Sequence, residues 1–266
     1  RFLFSGGVAM NSVAINKLTN LDFIDEIIIP PSPGDSGAAI GAAYYGYIKN
    51  NNNELDFKKQ RTENLTPGFK KEDFNDEDFF LINLKKIANK NDSLDVVADL
   101  LSKNEIIATC YGNIETGPRA LGNRSLLCNA HSISAVEKLN YNIKQRSKFR
   151  PVAPVVLEEK AKDYFKISHK IYDCYYHMGA VANVINDEGI EGVVHIDNTA
   201  RVQICNKNQL LGKILEKLKL KNIHVIANTS FNISSDPMVY SKEDAYLAIE
   251  RMDIKYILTE KGLYLR

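Results

Sequence analysis

Apolar residues recur along the first 50 positions in short runs, each followed by a stretch of helical spacing. The run at 2–4 leads into the Ser5-Gly6-Gly7 turn, and apolar residues at helical spacing follow over 8–18. A second run at 24–30 leads into a turn rich in proline, glycine and serine, and a helix of small residues follows over 38–48. The pattern therefore predicts two consecutive strand, turn and helix units.

The pattern changes after residue 48. Residues 49–53 read KNNNN, and residues 54–76 are polar and charged with little periodicity. Such a stretch is typical of a boundary between domains. We therefore predict a first region over 1–50, a linker over 51–75 and a second domain over 76–266.

The second region mixes strand-like and helix-like patterns. Short apolar runs predict strands over 105–111, 175–184, 193–204, 223–227 and 256–258, and an extended segment with two prolines over 149–157. Helical spacing predicts helices over 94–103, 132–142, 158–164, 210–220 and 241–251. Ser241, with Asp244 three residues later, is expected to cap the last of these helices. The fold class predicted from the pattern is α/β.

Composition narrows the function classes. The chain has 266 residues, of which 44% are hydrophobic, and 34 basic residues nearly balance 33 acidic ones. A net charge of +1 gives no general attraction to nucleic acid or to a membrane surface, and no apolar stretch is long enough to span a bilayer. The cysteines at 110, 128, 174 and 205 lie far apart, which predicts reduced, buried thiols of a cytoplasmic protein. The start at Arg1, inside an apolar run, predicts that the chain was cut from something longer.

One stretch carries the strongest chemical signal. Residues 112–127, GNIETGPRALGNRSLL, contain three glycines, a proline and two arginines after a predicted strand. Glycine allows close approach of a ligand, and the guanidinium groups of Arg119 and Arg124 suit phosphate or carboxylate oxygens. The residues alone fit a phosphate site and equally a tight loop whose arginines pair with surface acids.

Three further clusters share this chemistry. Residues 144–150 carry four cations in front of the extended segment, which on their own are typical of a solvated face. In 193–204, period-two alternation places polar residues on one face of a strand, where they either line a ligand site or face solvent. Residues 228–232, NTSFN, follow a strand at its carboxyl end and form either a ligand contact or an ordinary Asx turn. The polar residues in these clusters are Lys144, Arg146, Lys148, Arg150, His195, Asp197, Thr199, Arg201, Gln203, Asn228, Ser230 and Asn232.

A metal site is only partly encoded. Asp35 is the acid of the first region's Pro/Gly turn and could bind a divalent metal, but one carboxylate makes a poor site and the nearest histidine is His131. We interpret His169, His177 and His224 as structural.

These motifs together resemble the carbamoyltransferase family, which includes the O-carbamoyltransferases of nodulation-factor and aminoglycoside biosynthesis. The resemblance rests on FSGGVAMN (4–11), PPSPGDSGAAIGAA (30–43), ETGPRALGNRS (115–125), IKQRSKFRPVAP (143–154), VVHIDNTARVQ (193–203) and NTSFN (228–232), which cover nearly the whole chain in the right order. It implies that the first region is the C-terminal part of an actin-like (ASKHA) domain. It also implies that the second region is a YrdC-like domain with a twisted mixed β-sheet and flanking helices.

The resemblance implies an enzyme that makes carbamoyl-adenylate from carbamoyl phosphate and ATP with Mg²⁺. The carbamoyl group would then pass to a hydroxyl of a sugar or natural product at a metal site, typically iron, in the actin-like domain. By resemblance, the phosphate and ATP site would comprise Arg119, Arg124, Lys144, Arg146, Arg150, Arg201 and Asn228, with Ser125, His195, Asp197, Thr199 and Ser230 nearby. Gly6, Gly7 and Asn11 match the family's adenosine-contacting motif, and Asp35 matches its metal-ligand aspartate.

The sequence departs from the family pattern at Asn113, at 129–131 and at 235–236. The family's metal-binding histidine motif lies in an N-terminal half that this sequence does not include, so we expect the chain alone not to complete transfer. Three other hypotheses stay open: a binding module with a regulatory or scaffold role, a domain that acylates with bicarbonate and an amino acid, and RNA binding through the basic segment.

Overall fold

We describe a computed structural model, which covers residues 1–50, 84–147, 152–233 and 236–266. In the first region, β1 and β2 pair in parallel, and each leads into a helix. The two predicted strand, turn and helix units are confirmed, although the second helix begins and ends beyond the predicted 38–48. The elements are β1 (Phe2–Leu3), a 3-10 turn (Gly7–Met10), α1 (Ser12–Leu18), β2 (Ile27–Ile28) and α2 (Asp35–Asn50).

The second region alternates strands with short helices. Its strands are β3 (Lys85–Asn89), β4 (Ile107–Cys110), β5 (Arg124–Asn129), β6 (Ala153–Leu157), β7 (Phe165–Lys166), β8 (Ala182–Val184), β9 (Thr199–Ala200), β10 (Gln203–Cys205), β11 (Val225–Ser230), β12 (Tyr256–Thr259) and β13 (Gly262–Leu265). Its α-helices are α3 (Ser93–Ser102), α4 (Ile133–Glu137), α5 (Ala161–Tyr164), α6 (Leu210–Lys219) and α7 (Lys242–Arg251). A π-helical segment (Lys138–Ile143) continues α4, and 3-10 turns cover Glu158–Lys160, His169–His177 and Glu191–Val193.

Eight strands form one mixed sheet in the order β10-β6-β11-β5-β4-β12-β13-β3. Two pairs are parallel, β10 with β6 and β12 with β4, and the other five are antiparallel. Strands β7, β8 and β9 form a separate antiparallel sheet. The α/β fold class with a mixed sheet and flanking helices is confirmed. The domain boundaries at 50 and 75 stay predictions, because residues 51–83 lie outside the described part.

The two faces of the large sheet are buried in different ways. Helices α3 and α6 cover one face and bury the side chains of Leu101, Leu127, Leu215, Ile226 and Leu258. The other face belongs to a larger core that also contains side chains from the first region, including Ile15, Ile27 and Ile29. Strand β2 packs against the 3-10 segment His169–His177. The first region is therefore joined to the second through this shared core.

Two predicted strands are confirmed only in part, since β8 lies within 175–184 and β9 and the start of β10 lie within 193–204. Residues 193–204 do not form one strand, because Asn198 adopts a left-handed conformation (φ 57°) and the chain turns there, with the His195 N–H bonded to the Thr199 carbonyl. The Asp197 carboxylate accepts from the Thr199 N–H and hydroxyl, a local alternative to strand pairing. Residues 175–177 are likewise helical, and left-handed Met178 (φ 55°) ends that segment before β8.

Other elements differ in their bounds. The predicted loop 112–127 ends in β5, so Arg124 and Ser125 are strand residues. Strand β11 extends to Ser230, so Asn228 lies within a strand and not in a turn after it. Strands β3 and β13 were missed. The helices over 94–103 and 210–220 are confirmed to within a residue, and the predicted Ser241 capping box is present on α7.

All four cysteines are buried and free, as predicted. Burial raises the pKa of the Cys174 thiol to about 12 and raises that of Cys128 and Cys205 as well, which keeps these thiols protonated. Among the residues that the structure describes, no helix has the length and apolar character needed to cross a membrane.

Candidate functional site

The loop between β4 and β5 is organised around a buried carboxylate. Glu115 is 5% exposed, and its Oε1 accepts hydrogen bonds from the backbone N–H groups of Leu121 (2.8 Å), Asn123 (2.7 Å) and Arg124 (3.1 Å). Three converging donors fold the loop back on the start of β5. The sequence analysis did not identify Glu115 as a site residue, because it selected residues by positive charge. The position of one acid in a loop with glycines and arginines could have indicated its role.

The same loop touches the first region. Gly117 has φ 99°, which favours glycine, and a Cβ at this position would overlap the carbonyl oxygen of Pro31. A larger side chain at 117 would force the loop away from the turn of the first region. The sequence ETGPR therefore needs its glycine for contact with the first region as well as for the turn.

Arg124 braces this loop from inside. Its side chain is buried, and Nη1 donates to the carbonyls of Tyr111 (3.2 Å), Gly112 (3.2 Å) and Asn123 (3.1 Å). All three acceptors are neutral backbone oxygens. The predicted phosphate-facing arginine is thus also a structural brace.

Lys144 joins the basic segment to the end of β11. Its side chain is 1% exposed, and Nζ donates to the carbonyl oxygens of Ser230 (2.9 Å) and Asn232 (2.7 Å) and to Asn232 Oδ1 (2.6 Å). Ser230 also donates its hydroxyl to Asn232 Oδ1 (2.6 Å). Lys144 and Ser230, predicted from separate motifs, therefore lie together.

Strand pairing brings the other predicted residues of this group together. Ser125 on β5 pairs in register with Ser230 on β11, and Ser125 has a fully buried side chain. Asn228 donates from Nδ2 to the carbonyl of Ala120 (3.0 Å) and to Gln203 Oε1 (2.8 Å). The loop, β10 and β11 are thus linked by amide contacts.

His195, Asp197 and Thr199 form a second group, although not by strand alternation. The Thr199 hydroxyl donates to Asp197 Oδ1 (2.7 Å), and His195 Nδ1 lies 2.9 Å from Thr199 Oγ1. Hydrogen bonds from Thr199 lower the pKa of the Asp197 carboxyl. Burial lowers the pKa of His195 most, and the charge of Asp197, which raises it, is opposed by that of Arg201. Gln203 lies in the large sheet, apart from this turn.

Arg119 differs from the other cations. It is half-buried, and its guanidinium makes no hydrogen bond or ion pair with any residue in the described part. Burial lowers its pKa, but a guanidinium remains charged near neutral pH. Of the remaining predicted cations, Arg146 is half-buried. Arg150 and Lys148 lie outside the described residues.

A cleft of about 700 Å³ lies in the first region and reaches the β4–β5 loop. Its walls include Gly6, Pro31, Asp35, Gly41 and Tyr44, with Thr116 from the loop. Gly6 has φ 98°, and a Cβ at Gly6 or Gly7 would meet open space. The predicted Asn11 uses its Oδ1 to accept from the Ala14 N–H, so it caps α1.

The donor set around Asp35 does not fit a metal ion. Asp35 is exposed in the first turn of α2, and no group of three or more His, Cys, Asp or Glu side chains suited to a metal occurs in the ranges that the structure describes. A single exposed carboxylate gives too few ligands for a transition metal. The role of Asp35 as a ligand stays a prediction.

Two protein-family models match the chain, and together they span most of it. The model described as carbamoyltransferase C-terminus matches residues 98–266, and the model described as carbamoyltransferase N-terminus matches residues 1–44. The N-terminal match covers the region of β1 to α2, and the C-terminal match contains the Glu115 loop and the Lys144 group.

Several relatives match over most of the chain. Nodulation protein NolO of Bradyrhizobium diazoefficiens is 29% identical over 96% of this chain and 47% of its own length. Nodulation protein U of Azorhizobium caulinodans is 33% identical over 86% of this chain and 39% of its own. An uncharacterized protein of Synechocystis is 30% identical over 96% of this chain and 46% of its own. The chain thus spans less than half the length of these relatives.

Solved structures with partial likeness include HypF from T. kodakarensis, with a TM-score of 0.47 and 20% identity over 64% of this chain and 21% of that one. Sua5 from P. abyssi in complex with L-threonine has a TM-score of 0.44 and 17% identity over 64% of this chain and 46% of that one. Both TM-scores lie below 0.5. The C-terminal family match alone covers well over half of the sequence, and the chain belongs to the carbamoyltransferase family.

Proposed function

We propose that the chain is the adenylate-forming part of an ATP-dependent O-carbamoyltransferase. In this proposal, carbamoyl phosphate and ATP bind around the Glu115 loop and the Lys144 group. The product is carbamoyl-adenylate, whose carbamoyl group passes to a hydroxyl of a sugar or natural product. Membership in the carbamoyltransferase family supports the reaction class.

The observation that carries the proposal is the state of two arginines. Arg119 has no partner in the described part of the chain, and Arg124 Nη1 bonds only to backbone carbonyls. Burying a guanidinium without a carboxylate partner is costly, and an anionic ligand offsets that cost. Phosphate oxygens match the planar fork of arginine. Neither arginine, one in the loop and the other at the start of β5, has a carboxylate partner in the described part of the chain, and this favours a phosphate-bearing substrate.

The surrounding groups suit this substrate. Lys144 donates to oxygens of Ser230 and Asn232, and its ammonium adds a positive charge that suits a phosphate. Asn228 and Ser125 add neutral hydrogen-bonding groups on the neighbouring strands. Acyl-adenylate formation depends mainly on positioning and on stabilising charge at the transferring phosphate, which such a set provides.

The proposed chemistry balances with one water. Water cleaves the P–O bond of carbamoyl phosphate and releases phosphate and carbamate. A carbamate oxygen then attacks the α-phosphorus of ATP, the bond to the β-phosphate breaks, and pyrophosphate leaves. In transfer, the acceptor oxygen attacks the carbamoyl carbon, AMP departs, and the hydroxyl proton is released. Mg²⁺ would enter with ATP, bound to its phosphates.

The test is isotope exchange between pyrophosphate and ATP that depends on carbamoyl phosphate. We expect exchange by the unmodified chain and a loss of about 100-fold in Arg119→Ala, since one charge that stabilises the transition state contributes about this factor. Arg1→Ala is the matched control, because Arg1 is exposed and already paired with Glu26 at 2.7 Å.

Binding of ATP without exchange by the unmodified chain would refute the enzyme and leave a regulatory or scaffold module. Equal exchange in Arg119→Ala and Arg1→Ala would refute the role of Arg119 while keeping the reaction. A carbamoylated acceptor made by the chain alone would show that the acceptor site is also complete.

A further inference from the structure

A small cavity lies where the first region meets the β4–β5 loop. Its volume is about 10 Å³, which is enough for one water molecule. Its walls include Met10, Ile29 and Pro31 from the first region and Pro118, Arg119 and His177 from the second. Most of these residues are apolar, so the two ionisable side chains stand out.

His177 is buried in this cavity, and its ring nitrogens find no partner in the described ranges. The residue is 4% exposed, and neither ring nitrogen has a hydrogen-bond partner among the described residues. Gly179 covers the ring, since a Cβ there would lie 2.9 Å from Nε2. Buried polar side chains are nearly always hydrogen-bonded, and each one left unpaired is destabilising. His177 therefore requires a partner that the described part of the chain does not supply.

Arg119 lines the same cavity and lacks a hydrogen-bond acceptor in the described part of the chain. Its guanidinium carries only donors and has no partner in the described part of the chain. A neutral imidazole has one nitrogen that accepts. The cavity has room for one water molecule. This water can accept a hydrogen bond from the Arg119 guanidinium and donate one to the imidazole of His177. None of the cavity-lining residues is a carboxylate that could pair with Arg119 instead.

We propose that this cavity binds one water, and that His177 is a positioning residue which holds the Arg119 guanidinium through that water. The inference deepens the proposed function and rests on it, because Arg119 is the arginine that we expect to meet carbamoyl phosphate. The remaining guanidinium donors then point at the substrate in a fixed orientation. Since the first region forms half of the cavity wall, it also takes part in orienting Arg119.

The test compares His177→Leu with His177→Gln in the full chain, by the exchange reaction described above. Leucine removes the acceptor, whereas glutamine keeps one on a side chain of similar length. We expect His177→Leu to raise the KM for carbamoyl phosphate about tenfold, the effect of one lost hydrogen bond, with kcat and the KM for ATP within about twofold. His177→Gln should restore most of the loss. Equal values in the two variants, or an unchanged KM in His177→Leu, would overturn the inference.

A crystal structure of the unmodified chain at a resolution that shows ordered water gives a second, independent measurement. We expect one water within hydrogen-bond distance of both His177 and Arg119. A dry cavity, or a water bonded to only one of the two, would overturn the inference even if exchange is observed. If the unmodified chain shows no exchange, the proposed function fails, and this structure still decides whether the water links the two side chains.

Discussion

The two regions of the chain bury their apolar residues to very different extents. In the second region, the eight-stranded sheet is covered on both faces, and β4, β5 and β6 are buried throughout. In the first region, α2 runs for 16 residues without one buried side chain, and Ile40, Tyr44 and Tyr47 are exposed. Burial is the main favourable contribution to folding, so most of the chain's stability should reside in the second region.

The comparison also separates two kinds of site residue. In the second region, charged groups such as Glu115 and Lys144 are buried and held by several hydrogen bonds. In the first region, Gly6 and Asp35 are exposed around an open cleft, and Gly7 is exposed as well. A preorganised charged site needs a rigid surrounding, which the second region provides. The site residues of the first region are therefore held by fewer contacts than those of the second.

The largest expected effect tests where stability resides. Leu127 on β5 is fully buried between the sheet and α3 and α6, so Leu127→Ala should lower the free energy of unfolding by about 4 kcal/mol. The matched control is Leu3→Ala on β1, which is 72% exposed and should cost less than about 0.5 kcal/mol. Urea denaturation monitored by circular dichroism measures both. Similar losses in the two variants would contradict the comparison.

The junction between the regions should be sensitive to acid. Burial lowers the pKa of His177 to about 4, below the 6.5 of an unperturbed histidine. Between these values the unfolded chain binds a proton that the folded chain does not, so stability falls as pH drops from 6.5 to 4. The expected contribution is about 3 kcal/mol. Arg119 is the other charged side chain that lines the cavity and stays cationic over this range.

The measurement compares unfolding of the unmodified chain and His177→Leu at pH 7 and pH 4. The acid-induced loss should be smaller in His177→Leu by about 3 kcal/mol, because other titrating groups contribute equally to both proteins. Equal losses would mean that His177 does not stay neutral in the folded chain. The junction would then not be the acid-sensitive part of the molecule.

The Glu115 loop of the second region gives a smaller effect. Glu115→Ala leaves three backbone N–H groups without their acceptor, which should cost about 2 kcal/mol, since hydrogen bonds to a charged group are stronger than neutral ones. Glu115→Gln keeps an oxygen in place and should lose about half as much. Urea denaturation gives the stability, and protease cleavage within 112–123 reports loop order. An unchanged cleavage rate in Glu115→Ala would show that the carboxylate does not hold the loop.

Helices were easier to predict than strands, for physical reasons. Helices α3, α6 and α7 carry a full apolar stripe or a capping box, both of which are local signals. The predicted strand over 193–204 is interrupted because hydrogen bonds of Asp197 and the left-handed Asn198 replace strand pairing before β9. Alternation of polar and apolar residues does not reveal such a turn. Strand β13 has only four residues, and its pairing with β3 and β12 is set by partners distant in sequence.

Site residues could be predicted from the sequence where their charge alone indicates a role. Arg119 and Lys144 were found from their charge, and the structure adds that one is unpartnered in the described part while the other is held by Ser230 and Asn232. Glu115 and His177 were not predicted as site residues, because the role of a single acid or histidine depends on its burial and its partners. Those depend on how the two regions meet, which no local pattern contains.

The smallest expected effect compares one helix N-cap in each region. Ser241 caps α7, which buries Ala245, Ala248 and Ile249 in the larger core, so Ser241→Ala should lower the free energy of unfolding by about 1 kcal/mol. Asn11 caps α1 through the Ala14 N–H, but α1 buries only Ile15. If the first region frays before global unfolding, Asn11→Ala should leave the global value within about 0.3 kcal/mol and instead speed hydrogen exchange in α1. A loss of about 1 kcal/mol in both variants would mean that the regions unfold as one cooperative unit, joined by the core that Ile15, Ile27 and Ile29 share with the second region.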